Sequence, residues 1–156
     1  MSGVIDSKLA ELGIALPEAA APAANYVPFV KTGNQLFISG QIPMAAEGIQ
    51  FQAKLGDTMQ TEQGAEAAKL CAINLIAQMK AATGDLDKVA RIVKLVGFVN
   101  STGDFTEQPA VINGASNFMV EVFGDKGRHA RSAVSAASLP FGVAVEIEAI
   151  VELSED

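Results

Sequence analysis

Apolar residues follow helical spacing in two long stretches of the chain and strand alternation in several short ones. After Thr61, the positions Ala68, Cys71, Leu75 and Met79 recur at three- and four-residue intervals, the stripe of an amphipathic helix. Thr61 is its predicted cap and Gly84 its stop, a length of about six turns. Val111, Ala115, Phe118 and Val122 repeat at 4, 3 and 4 spacing, predicting a second helix opened by Pro109 and ended by Gly124. Near the N-terminus, residues 4–14 predict a short helix capped by Ser7, with Leu9, Leu12 and Ile14 turned inward.

Strand patterns surround the helices. Residues 26–42 predict two strands broken at Gly33-Asn34, a tight-turn pair. The second ends at Gly40, where the missing side chain permits close approach of backbone or ligand. "IQFQAKL" sets Ile49, Phe51, Ala53 and Leu55 against Gln50, Gln52 and Lys54, the alternation of a half-buried strand. "ARIVKLVGFVN" is β-branched and apolar on both faces, as a central strand is. "RSAVSAAS" and "VAVEIEAIVEL", joined by "LPFG", predict two final strands. The predicted order is β-β-β-α-β-α-β-β, an α+β fold with both helices on one face of a mixed sheet. The first 23 residues, with the Pro/Ala-rich run "LPEAAAPAAN", form an N-terminal helix and arm; residues 24–156 form the single domain.

The last two strands set the main chemical question. If "LPFG" is a four-residue hairpin loop, Ser138 pairs with Val143 and the register follows. Arg131 then faces Ile150, Ala133 faces Glu148 and Ser135 faces Glu146, so Arg131, Glu146 and Glu148 share one side. The other side carries Val143, Val145, Ile147, Ala149 and Val151 against the helices. Spacing alone leaves two readings open. One is an Arg–Glu structural pair at a subunit contact. The other is an arginine fork for a small carboxylate beside a glutamate that activates water.

Composition narrows the chemistry. The chain has 156 residues, is 49% hydrophobic and carries a net charge of −7, which suits one packed domain and argues against a nucleic-acid partner. With one cysteine and one histidine, disulfides, ordinary zinc sites and a Ser-His-Asp triad are poorly supplied. No GxGxxG or GxxxxGK[ST] phosphate loop occurs. Cys71 reads as a small core residue and His129 as a surface or loop one. The N-terminal run lacks a basic start and mixes charges into short apolar pieces, so a cytoplasmic protein with no membrane span is expected.

"LFISGQIP" at 36–43, "TEQGAEAAKLCAINL", "IVKLVGFVNSTGDF" and above all "RSAVSAASLPFGVAVEIEAIV" at 131–151 resemble the Rid family, also called YjgF-type proteins. The likeness spans residues 24 to 153. It implies a chorismate-mutase-like protomer, assembled as a homotrimer with clefts between subunits. It also implies hydrolysis of reactive enamine and imine intermediates to 2-keto acids and ammonia, with no metal or organic cofactor required. In the family's pattern Arg131 grips the substrate carboxylate and Glu146 positions water. Tyr26, Ser39, Gly40, Asn113 and Ala133 correspond to substrate-binding positions. Ala133 stands where the active deaminases carry cysteine, and "APAANYVP" replaces the usual approach to the tyrosine. With its longer arm the chain resembles a longer variant subgroup. Two further functions stay open: a non-catalytic binder of small carboxylates, and the ribonuclease or translation-inhibitor role ascribed to some relatives, which the acidic charge disfavours.

Overall fold

The two periodic stretches form the helices their spacing predicts. The structure, a computed structural model, describes residues 3–21 and 24–155. In chain order its elements are α1 (Val4–Glu11), β1 (Phe29–Thr32), β2 (Gln35–Gln41), β3 (Met44–Ala45), β4 (Gly48–Ile49), α2 (Thr61–Thr83), β5 (Val89–Asn100), α3 (Gln108–Phe123), β6 (Ala130–Ala136) and β7 (Val145–Leu153). Gln60, one residue before Thr61, caps α2 in a reciprocal pair with Gln63. Gly84 ends that helix at φ 72°, a conformation glycine adopts without cost. Ala68, Cys71, Leu75 and Met79 are fully buried, as are Val111 and Ala115 of α3.

Among the described residues the main sheet has five strands in the order β1-β2-β7-β5-β6. Pairing is antiparallel except between β5 and β6, so the fold is α+β with a mixed sheet. The apolar ridge of β7, Val145, Ile147, Ala149 and Val151, is buried beneath the helices. No helix of the described residues is long and apolar enough to cross a membrane.

Three expectations are corrected. The final strands do not form a hairpin: β6 pairs with β5 in parallel, and β7 enters between β2 and β5. The cause is α3, a crossover between parallel strands that delivers β6 to the sheet edge. The connection from 137 to 144 must then pass over the end of β5. Asn100 binds it there through Val143 O at 3.1 Å and Ala144 O at 2.8 Å, and Lys54 Nζ through Ala137 O at 2.7 Å. "IQFQAKL" is not a strand beyond Ile49, because Phe51 takes φ 56° and breaks the extended path. Its apolar members still turn inward, with Leu55 fully buried and Phe51 and Ala53 against the core. Finally, α1 starts after Gly3 and stops at Glu11, so Ser7 lies inside it rather than capping it.

The N-terminal helix is docked. Ile5 and Leu9 join the core, Asp87 accepts from the amides of Val4 and Ile5, and Lys80 pairs with Asp6 at 2.9 Å.

Candidate functional site

The residues singled out by the sequence fall into two groups. At the end of β2 the register against β7 shifts between Ile38 and Gln41, a bulge made by Ser39 and Gly40. Here a cavity of about 210 Å³ opens, lined by Tyr26, Ser39, Gly40 and Glu146 with Ile42, Met44, Ile49, Asn74 and Phe141. Gly40 lies close against Glu146: a Cβ there would stand 2.5 Å from Glu146 Oε2, so the carboxylate would have to move. Ser39 Oγ donates to Val27 O at 2.9 Å, which ties β2 to the segment after Tyr26.

The second group surrounds β6. Arg131 Nη1 donates to Asn113 Oδ1 at 2.8 Å and to Ser116 Oγ at 3.2 Å, both on α3. Its Nη2 reaches Pro109 O at 3.4 Å. Asn113 therefore orients the arginine. Ala133, two residues on, is half-buried against the core.

The two groups do not meet within one chain. Leu95 pairs with both Arg131 and Ala149, while Phe98 pairs with both Val134 and Glu146. Partners share a face, and residues three apart on a strand point to opposite faces. Arg131 therefore projects on the helix side, with Leu95 and Ala133. Glu146 and Glu148 project on the open side, with Phe98 and Val96. Strand spacing adds about 10 Å across the sheet and about 10 Å along it. The expected shared face of Arg131, Glu146 and Glu148 is thus overturned, because β5 lies between β6 and β7.

Comparison with known proteins bears on this split arrangement. The family model described as "YjgF/chorismate_mutase-like, putative endoribonuclease" matches residues 6–153. The chain belongs to the YjgF family. It is 52% identical over 154 residues to "Protein TCP17" of Trypanosoma cruzi, covering 98% of this chain and 96% of that one. The crystal structure of protein Atu1372 from Agrobacterium tumefaciens, of unknown function, is 51% identical with a TM-score of 0.91, covering 97% of this chain and 93% of that one. Two more distant relatives carry chemical information. A Dermatophagoides farinae protein named 2-iminobutanoate/2-iminopropanoate deaminase is 30% identical, covering 88% of this chain and 93% of that one. E. coli TdcF, solved with bound serine, is 28% identical with a TM-score of 0.63, covering 88% and 94%.

In this YjgF-family chain the charged groups are tuned by their surroundings. Burial, and then the neighbouring charge of Glu148, hold the Glu146 carboxyl above its ordinary range. The fold therefore favours protonated Glu146. That stabilisation is complete below the unfolded carboxylate pKa and is lost as pH rises through the folded one. At neutral pH an ionised, half-buried Glu146 is a cost, and Glu146→Gln is expected to raise Tm. The gain should fade as pH falls through the folded pKa. Calorimetry of both proteins from neutral to acid pH checks this, and an offset that does not change with pH would contradict it.

Sequence reasoning placed His129 on the surface or in a loop, and missed Ser116 and the contact between the two. His129 does lie in the loop before β6, with its imidazole half-buried. Its Nδ1 lies 2.6 Å from Gly127 O and its Nε2 lies 2.8 Å from Ser116 Oγ. Burial holds its pKa down, with Arg131 adding to the effect and the Gly127 carbonyl opposing it. The carbonyl requires the proton on Nδ1. Neutral His129 then accepts from Ser116, whose oxygen accepts from Arg131. The spacing of Ser116 and His129 from Arg131 shows only once α3 and β6 are packed together. Cys71 is wholly buried and its thiol is pushed up, first by that burial, so it is a core residue and no nucleophile.

Proposed function

We propose that this chain hydrolyses small α-imino acids to 2-keto acids and ammonia, at clefts between copies in a homotrimer. The observation that carries the reading is the division of the site. Arg131 with Asn113, and Glu146 with Tyr26 and Ser39, lie on opposite faces of one sheet, each half lacking what the other holds. A second copy supplies the missing half. The open sheet face supports assembly, since Val30 (53% exposed), Phe37 (41%) and Val134 (44%) lie uncovered on it, an apolar patch suited to burial against another subunit.

The chemistry follows from the parts. Asn113 and Ser116 occupy both hydrogens of Arg131 Nη1 and Pro109 O takes one of Nη2, which leaves Nε and the second Nη2 hydrogen as a side-on fork for a carboxylate. Glu146 takes a proton from water as the oxygen attacks the imine carbon, and returns it to nitrogen. Glu146 then takes the hydroxyl proton of the tetrahedral carbinolamine and delivers it to the amine, so that the C–N bond breaks, ammonia leaves and the keto group forms. A carboxyl with a raised pKa suits a group that both takes and gives the proton. The name of the Dermatophagoides farinae relative and the serine bound to TdcF support a small amino-acid-like ligand. An RNA substrate is disfavoured by the net charge of −7.

The test is hydrolysis of 2-iminopropanoate, generated in situ by an amino-acid oxidase. Arg131→Ala and Glu146→Gln are each expected to lose about 10²–10³-fold in kcat/KM. A wild type that binds small carboxylates through Arg131 but hydrolyses no imine would replace this reading with the non-catalytic binder. Light scattering should give three times the chain mass.

A further inference from the structure

We propose that the preferred substrates carry branched or aromatic apolar side chains, received in the cavity beside Glu146 with the N-terminal arm as part of its wall. The inference rests on the imine-hydrolase reading of that cavity. Its volume of about 210 Å³ is more than 2-iminopropanoate needs for a methyl group. A cavity of about 150 Å³ already admits a benzene ring.

The walls are apolar in effect as well as in composition. Ile42, Met44, Ile49, Pro28 and Pro140 contribute hydrocarbon. The amide side chains among them spend their donors on backbone carbonyls. Asn74 Nδ2 donates to Ile42 O and Met44 O, both at 3.0 Å, and Gln41 Nε2 donates to Ser39 O at 3.0 Å. Glu146 is the ionisable carboxyl of this lining, and a second carboxylate brought into the cavity would be repelled by it. An apolar side chain meets no such penalty and leaves water.

Two features complete the enclosure. Ala20 and Ala21 of the arm lie along the cavity. The arm is held there by Gln78, a side chain only 1% exposed, whose Nε2 donates to Ala20 O at 2.9 Å. On the other side Phe141 is 63% exposed with φ 59°, a conformation that costs a bulky residue energy. Gln52 Nε2 holds its carbonyl at 2.8 Å. The strained turn sets an aromatic ring at the rim, where it can close over a substrate side chain.

Imines generated from alanine, leucine, phenylalanine and glutamate test the inference on the wild-type protein. The leucine and phenylalanine imines are expected to show kcat/KM at least about tenfold above the alanine imine, because their extra carbons leave water in the cavity. The glutamate imine should be slowest. Ala20→Phe, which builds bulk onto the wall at an exposed position, should lower the leucine-to-alanine ratio at least about fivefold. Equal rates for leucine and alanine imines, or an unchanged ratio in Ala20→Phe, would overturn the inference and leave imine hydrolysis standing. Failure to hydrolyse any of the imines would remove the hydrolase reading and this inference together.

Discussion

Arg131→Ala and Glu146→Gln chains, each inactive alone, should regain about a quarter of wild-type imine hydrolysis when unfolded together in equal amounts and refolded. The expectation follows from the two faces of the sheet. A side chain on the helix side of β6 and one on the open side of β7 cannot hold the same small molecule within one copy, so under the proposed function each site draws its arginine and its glutamate from different copies. In a cyclic trimer, about three quarters of randomly assembled molecules contain both variants, and in each of these about one site in three has both residues intact. The mixed trimers can be isolated with a tag on one variant and assayed directly. Mixed trimers without recovered activity would show that Arg131 and Glu146 do not act on one substrate, and the intersubunit reading would fall.

The largest expected loss of stability comes from Gly114→Ala. A Cβ at Gly114 would overlap the carbonyl oxygen of Ala65, so α2 and α3 touch backbone to backbone at this point. The obstacle is main chain inside a helix, which cannot swing aside as a flexible side chain would. Relief requires the helices to separate, and overpacking of this kind costs about 2–3 kcal/mol. For a chain of this size that corresponds to a fall of roughly 6–10 °C in Tm. Function should suffer as well, because Asn113 and Ser116 ride on α3 and hold Arg131. A thermal melt within about a degree of wild type would show that the helices yield more easily than the geometry indicates.

Where local pattern decides structure, the chain could be read directly. α2 and α3 announce themselves in buried stripes such as Ala68-Cys71-Leu75-Met79, and β5 in a run of β-branched residues between two paired neighbours. The capping of α2 shifted by one residue, to Gln60, because its partner Gln63 could reach back to that position. "IQFQAKL" shows the limit of alternation. Its inward residues are inward, yet the backbone turns at Phe51, and Ala144 N binds Phe51 O at 2.8 Å across a loop contact. Burial can be read from such a pattern; which carbonyl will answer which amide cannot.

The candidate site divides along the same line. Arg131, Glu146, Tyr26, Ser39, Gly40 and Asn113 were all identifiable as residues, by chemistry and by motif. Alternation told which neighbours on β7 share a side with Glu146, since that depends only on the period of two along one strand. It could not tell which side Arg131 takes relative to Glu146, because this requires knowing what lies between their strands. The hairpin through "LPFG" was the shortest connection, and the crossover made by α3 displaced it. Helices and the alternation along a single strand were thus set by short-range periodicity, and the candidate site residues by their resemblance to a family motif. Strand order, the bulge cavity beside Glu146 and the parting of Arg131 from Glu146 were decided in three dimensions, because long-range hydrogen-bond pairing and helix packing select among registers that local sequence leaves equivalent.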